Sequence, residues 1–281
     1  MAAQIVLALK RVNSPLSSPI PTKDAPQWNL QTVPPLNEVH QTSVELASGI
    51  ACPPSDKPTP PTWVVDAYHH GDYTNLTDAI NAAKPGDRIL VRPGMYQEGI
   101  VIDKFVEIIG DGKLGDVIIQ ADGKNAVLFQ ANNGRIANLT LRQVGGEFFC
   151  LKIARGQLVV EECDITGQGP ACVAIHDGAD PILRGNSIHD GNKSGIYVYN
   201  NGQGMLEDND IFGNALAGVR IDTGGNPTLR QNRITKNTKA AIWICDGGQG
   251  VFENNDLRGN ADAWKISPDI MITLTLTPSR K

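Results

Sequence analysis

Six residues of types that do chemistry recur on one spacing. Tyr197, Arg220 and Trp243 follow one another at equal steps of 23 in the numbering, and His176, Tyr199 and Asp222 do the same. An arginine in such a set could neutralise a substrate carboxylate, and His176, Tyr199 or Asp222 could move the proton beside it. That is the chemistry of a proton-transfer elimination or epimerisation. The same six also read as a surface that grips a partner, because exposed aromatics beside Arg and Asp mark recognition sites.

The spacing says which elements must carry them. Gly195–Tyr199, Gly218–Asp222 and Ala241–Cys245 are apolar and polar by alternation and start at 195, 218 and 241, the same step. Asn186, Asn209, Asn232 and Asn255 keep it, as do Leu183, Leu206, Leu229 and Phe252. Each unit holds three short alternating runs separated by Gly, Pro, Asn and Asp, with no room for a helix of about ten residues. A fixed period of this size describes one supersecondary unit stacked on itself. The expected fold is all-β: a right-handed, single-stranded parallel β-helix.

Stacking at about 4.8 Å per rung puts equivalent residues over one another. Val173 and Ile175, Ile196 and Val198, Val219 and Ile221, and Ile242 and Ile244 then point inward, joined by the Leu183 and Ile188 columns. Arg184, Glu207, Arg230 and Glu253 form an outward file of alternating charge. The Asn column reads as a ladder of side-chain amides, with Cys163 one step above it as a small cap. His176, Tyr197, Tyr199, Arg220, Asp222 and Trp243 fall on one outward strip about 15 Å long.

Composition narrows the partners. A net charge of −5 with no long basic run argues against nucleic acid, and no apolar stretch is long enough to span a membrane as a helix. Five cysteines form no CxxC pair, which points to reduced thiols and a cytoplasmic setting. The apolar residues after Met1 lack a basic region before them and a cleavage site after them, so no secretory leader is expected.

Along the chain, residues 1–61 are rich in Pro and Ser and read as a disordered arm. Residues 62–262 carry the repeat, which makes about seven to eight turns counted from Arg88. Leu76, Ile80 and Ala83 share a face of a short helix expected to plug the open upper end. Residues 263–281 form a cap or tail, with Ile270–Thr277 alternating like a strand outside the repeat columns.

The segment Ala83–Glu98 resembles the opening of β-helix domains of the carbohydrate-binding and sugar-hydrolase type. The units Gly204–Phe212 and Gly225–Ile234 are similar to the repeats of F-box-only proteins with a β-helix, which recognise substrates for ubiquitin ligases. That resemblance covers about residues 63–262 and implies a protein partner and a link to ubiquitin-dependent degradation. No F-box is legible in residues 1–61, so the ligase-docking half would be absent or come from another chain.

Two function classes follow. One is a non-catalytic scaffold that binds a protein through the strip. The other is a carbohydrate-active protein, a polyuronate lyase, an epimerase or a polysaccharide binder, using the same strip. The sequence favours the first. No paired carboxylates lie on adjoining rungs for glycoside hydrolysis, and no Asp cluster offers a calcium site. His176-Asp177-Gly178 and His189-Asp190-Gly191 read as turns, and His69-His70 as an exposed pair, so no metal or other cofactor is expected.

Overall fold

The computed structural model describes residues 4–11, 61–268 and 270–277. The chain divides into two units, residues 1–12 with 60–281 and residues 13–59. The second unit lies outside the described residues, and with it most of the expected Pro/Ser-rich arm.

Within the first unit the chain winds through three parallel sheets, contributing one strand to each per turn. Among the described residues, nine parallel strands from Thr62–Val65 to Gly250–Glu253 make the first sheet. Seven, from Gly94–Tyr96 to Arg233–Thr235, make the second, and eight, from Ile100–Ile102 to Asp262–Ile266, make the third. The solenoid therefore has about nine turns. The count from Arg88 misses the rung at Thr62–Val65, because the loop and helix between Val65 and Arg88 break the periodic pattern.

Register follows the repeat step where the sequence is regular. Val173 pairs with Ile196, Ile196 with Val219 and Val219 with Ile242. These residues, with Ile175, Val198, Ile221, Ile244, Leu183, Leu206, Leu229, Ile188, Ile211 and Ile234, are completely buried, while Leu257 at the lower end is only partly buried. In the upper turns Arg88 pairs with Glu107 and Glu107 with Arg135, so the steps stretch and shrink with the corner loops while the inward column continues through Ile89, Ile108 and Ile136.

The corners explain the Asn and Asp content. Asn138, Glu162, Gly185, Asp208, Gln231 and Asn254 occupy one corner of successive turns in the left-handed backbone region, at φ of 51 to 64°. Asp177, Asn200, Thr223 and Asp246 do so at another, at φ of 45 to 54°. Asn and Asp tolerate that conformation better than other non-glycine residues. Glu162, Gln231 and Thr223 are the exceptions, and Thr223 is a β-branched residue held there beside the strip.

The amide ladder holds the first corner closed. Asn186 Nδ2 donates to Val160 O at 3.0 Å and to Asn209 Oδ1 at 2.9 Å, and Asn209 Oδ1 also accepts the Asn186 N–H at 3.0 Å. Asn209 and Asn232 repeat this set one and two turns below. At the top the Cys163 N–H donates to Asn186 Oδ1 at 2.9 Å, so Cys163 ends the ladder without extending it. A second ladder, Asn214, Asn237 and Asn260, runs down another corner with the same bonds, and Gly191 ends it above. It keeps the same step in the sequence but is not among the expected columns.

From Glu161 to Arg230 the outward charge file is a chain of ion pairs. Arg184 bridges Glu161 at 3.6 Å and Glu207 at 3.4 Å, and Arg230 pairs with Glu207 from below. With their arginines half exposed, these pairs contribute about 0–1 kcal/mol each. The buried amides therefore matter more to the corner than the surface charges do.

The helix expected at the upper end spans Leu76–Ala82 and buries Leu76, Ala79 and Ile80. Asn75 caps it by accepting the Asp78 N–H at 2.8 Å, and Glu98 accepts the N–H groups of Leu76 and Thr77. Lys104 Nζ reaches the Ile80 carbonyl at 3.0 Å at the other end. Both helix ends are thus satisfied by side chains from the first turns.

At the lower end the reading of residues 1–61 as an arm fails for Gln4–Arg11. That segment is a strand paired antiparallel with Gly250–Glu253, and Ile270–Thr277 pairs antiparallel with it in turn. An open strand edge presents unpaired N–H and C=O groups, and an apolar run from elsewhere in the chain can complete it. Among the described residues no helix is long and apolar enough to cross a membrane.

The ladder gives a direct stability test. Asn209→Leu should leave the buried Asn186 N–H and the Leu183 carbonyl of the turn above without partners and cost the Asn186 amide one of its two acceptors, lowering stability by about 3 kcal/mol or more. Urea unfolding followed by circular dichroism measures the loss; an unchanged midpoint would mean the ladder is not a structural tie.

Candidate recognition surface

Two outward files of the third sheet hold the six residues. Ala174 pairs with Tyr197, Tyr197 with Arg220, Arg220 with Trp243 and Trp243 with Lys265. Further along each strand come His176, Tyr199, Asp222 and Cys245, one above another, with each backbone N–H bonded to the strand above. The alternation that buries Ile196 and Val198 turns the two tyrosines outward.

The side chains stack along the solenoid. Tyr199 lies on His176 with ring centroids 5.0 Å apart, and Tyr197 lies beside Tyr199 at 4.3 Å. The Arg220 guanidinium sits between the Tyr197 ring at 4.8 Å and the Trp243 ring at 5.1 Å. Lys265 closes the series, its Nζ 3.9 Å from the Trp243 centroid. Contacts of this kind contribute about 0.5–2 kcal/mol each.

Asp222 ties the stack together. Its carboxylate accepts from Tyr197 Oη at 2.8 Å, from Arg220 Nη2 at 2.9 Å and from Thr223 Oγ1 at 2.9 Å. Both oxygens are engaged, and the residue is only 2% exposed. His176 is 7% exposed, with Nδ1 2.8 Å from Asp177 Oδ2 and Nε2 buried without a partner among the described residues. Asn200 one turn below donates to the same Asp177.

The expectation that all six residues are exposed therefore needs correction. Tyr197, Tyr199, Arg220 and Trp243 reach the surface in part, while His176 and Asp222 lie beneath them. Large side chains on neighbouring rungs, only about 4.8 Å away, cover the smaller ones. Lys265 and Thr223 are not among the expected residues. Lys265 follows Trp243 one position sooner than the repeat step, so counting by the step passes over it.

Local electrostatics quieten the strip. Burial, followed by the hydrogen bond to Asp222, raises the Tyr197 phenol pKa, and burial raises that of Tyr199. Burial also raises the Cys245 thiol. For Arg220 burial works against the charge, but Tyr197 and Asp222 outweigh it and the guanidinium pKa rises. A general acid or base works best with a pKa near the working pH, and these shifts run the other way. Asp222, Cys245 and Asp246 bring ligand-type atoms within 4.8 Å of one another. Arg220 already occupies the Asp222 carboxylate, and the thiol keeps its proton, so the cluster fits a guanidinium better than a metal ion.

Residues 125–267 match the family described as the right handed beta helix region. The chain belongs to this family. This right-handed β-helix protein is 32% identical over 105 residues to the F-box protein SKIP5 of Arabidopsis thaliana, a match covering 36% of the chain and 38% of the relative. The matched part thus spans under two-fifths of that relative's length. Among solved structures, the pectin methylesterase of Aspergillus niger has a TM-score of 0.52 and 14% identity, covering 76% of this β-helix and 86% of its own chain. The carrot pectin methylesterase gives 0.49 and 15%, covering 66% and 70%. At 14% identity the likeness to the Aspergillus niger enzyme is one of fold.

A second cluster lies on the second sheet. His189, expected as part of a turn, closes the strand Ser187–His189 and holds carboxylates at both ring nitrogens, Asp164 on Nε2 at 3.0 Å and Asp190 on Nδ1 at 2.9 Å. Its ring lies flat on Phe212 at 4.8 Å. The Asp164 bond, aided by Asp190 and opposed by burial, raises the His189 pKa to about 9.

Two outcomes follow. Asp222→Ala should strand the half-buried Arg220 and lower stability by about 2–4 kcal/mol, read from urea unfolding; a loss within error of zero would mean that Asp222 does not hold the strip. Because the folded His189 pKa lies above the unfolded value near 6.5, its stabilisation is complete below that pH and disappears as pH rises through about 9. Stability should fall by about 1–3 kcal/mol over that window, and His189→Gln should flatten this part of the profile.

Proposed function

We propose that this chain is a non-catalytic recognition scaffold that binds a protein partner through the outward face of the third sheet. Tyr197, Tyr199, Arg220 and Trp243 make the contact, with Lys265 at its lower edge. His176 and Asp222 act from beneath, fixing the rings and the guanidinium.

The observation that carries this reading is the state of Asp222. Its three donors leave no lone carboxylate to serve as a base, yet they hold the Tyr197 ring and the Arg220 guanidinium in one arrangement, and that guanidinium in turn lies over the Trp243 ring. Aromatic and Arg side chains fixed before binding lose little conformational entropy on contact, which is how a small patch supplies much of an interface's affinity. The 32% identity to an F-box protein supports a protein as the partner. With the resemblance of the repeats to those of substrate receptors, it supports a part in ubiquitin-dependent degradation, in the cytoplasm.

The test is affinity capture with the full chain and with a Tyr199→Ala/Trp243→Ala variant of matched thermal stability. At least one protein held by the wild type should be reduced about tenfold or more on the variant, as expected for loss of hot-spot residues. Identical capture sets would overturn the proposal. So would formation of an unsaturated product from a polyuronate that is lost in Arg220→Ala.

A further inference from the structure

The outward faces of the second and third sheets differ in one rung. On the third sheet the file Tyr197, Arg220, Trp243, Lys265 has a ring or a cation at every level. On the second sheet His189 pairs with Phe212 and Phe212 with Thr235. Arg233 bridges Asp256, which puts Arg258, two positions on, at the level below Thr235. The file therefore reads His189, Phe212, Thr235, Arg258: ring, ring, small side chain, guanidinium.

The short side chain of Thr235 leaves a gap. Phe212 and Arg258 stand two rungs apart, about 10 Å along the solenoid. A flat ring at the Thr235 level would lie about 4.8 Å from Phe212, within the range for aromatic stacking, with the Arg258 guanidinium, held by Asp256, on the other side of the same groove. The far face of Phe212 is already covered by His189, whose paired carboxylates fix the ring beneath it. An open groove of about 620 Å³ occupies this place, lined by Phe212, Arg233, Thr235, Lys236, Arg258 and Gly259 together with Asp256.

The charge of the groove indicates what else the ligand carries. Its lining has three cations, Arg233, Lys236 and Arg258, and one carboxylate, Asp256. Arg233 is engaged by Asp210 and Arg258 by Asp256 at 2.8 Å, while Lys236 has no ion pair among the described residues. An anionic group beside the slot would meet Lys236 and the outer guanidinium edges.

We propose that this missing rung is a binding site for a flat aromatic ring bearing a phosphate. The ring stacks between Phe212 and Arg258 over Thr235, and the phosphate lies against Lys236. Two sources offer that chemistry, a mononucleotide and a phosphorylated tyrosine side chain.

Isothermal titration of the full chain with AMP and, separately, with O-phosphotyrosine tests the site. At least one should bind saturably with Kd below about 1 mM, and the tighter of the two identifies the source. Adenosine lacks the phosphate and ribose 5-phosphate lacks the ring, so each should bind about tenfold more weakly than AMP if the nucleotide is the source. Thr235→Phe fills the rung and should abolish binding without lowering Tm. Lys236→Ala, which leaves the stack intact, should weaken the phosphorylated ligand about fivefold and leave adenosine unchanged. No binding of either ligand with a Kd below about 1 mM, or equal binding by Thr235→Phe, would overturn the assignment.

Discussion

Each corner of the solenoid bends the backbone inward, and the polar groups exposed by that bend must find partners away from water. The stacked asparagines meet this requirement. Each amide donates to a carbonyl in the turn above and to the amide of the turn below, while its oxygen accepts a backbone N–H. A ladder of this kind works only if equivalent residues sit directly over one another. It therefore fixes the register on which every outward file depends.

Once register is fixed, side-chain size along a file decides what the surface does. Residues at neighbouring levels are close enough for rings and guanidinium groups to stack, and a large side chain covers a small one beside it. The third sheet fills every level from Tyr197 to Lys265, producing a continuous and rigid patch. The second sheet has a threonine between Phe212 and Arg258, producing a groove. One repeat thus makes two kinds of surface through a change in a single side chain per rung.

Much of the fold was legible because the period repeats within one chain. The steps at Asn186, Asn209, Asn232 and Asn255 identify the ladder, and the alternation around Tyr197 and Tyr199 identifies the outward face. Where the period shifts, the sequence is less informative: Lys265 comes one position early after Trp243, and the rung at Thr62–Val65 is separated from the next by a helix. The strand Gln4–Arg11 gave no local sign of its pairing, because its partners Gly250–Glu253 and Ile270–Thr277 lie near the other end of the chain. The candidate strip was legible as a set of residues but not as a surface with depth.

The amino-acid sequence alone determined the period, the inward columns and the membership of the strip, since these depend on residue type at fixed spacing. The tertiary structure alone decided that Asp222 and His176 are buried supports, that His189 binds two carboxylates and that the Thr235 level is open. Those properties depend on the size and direction of side chains on adjacent turns. Such distances exist only after the chain has wound back on itself.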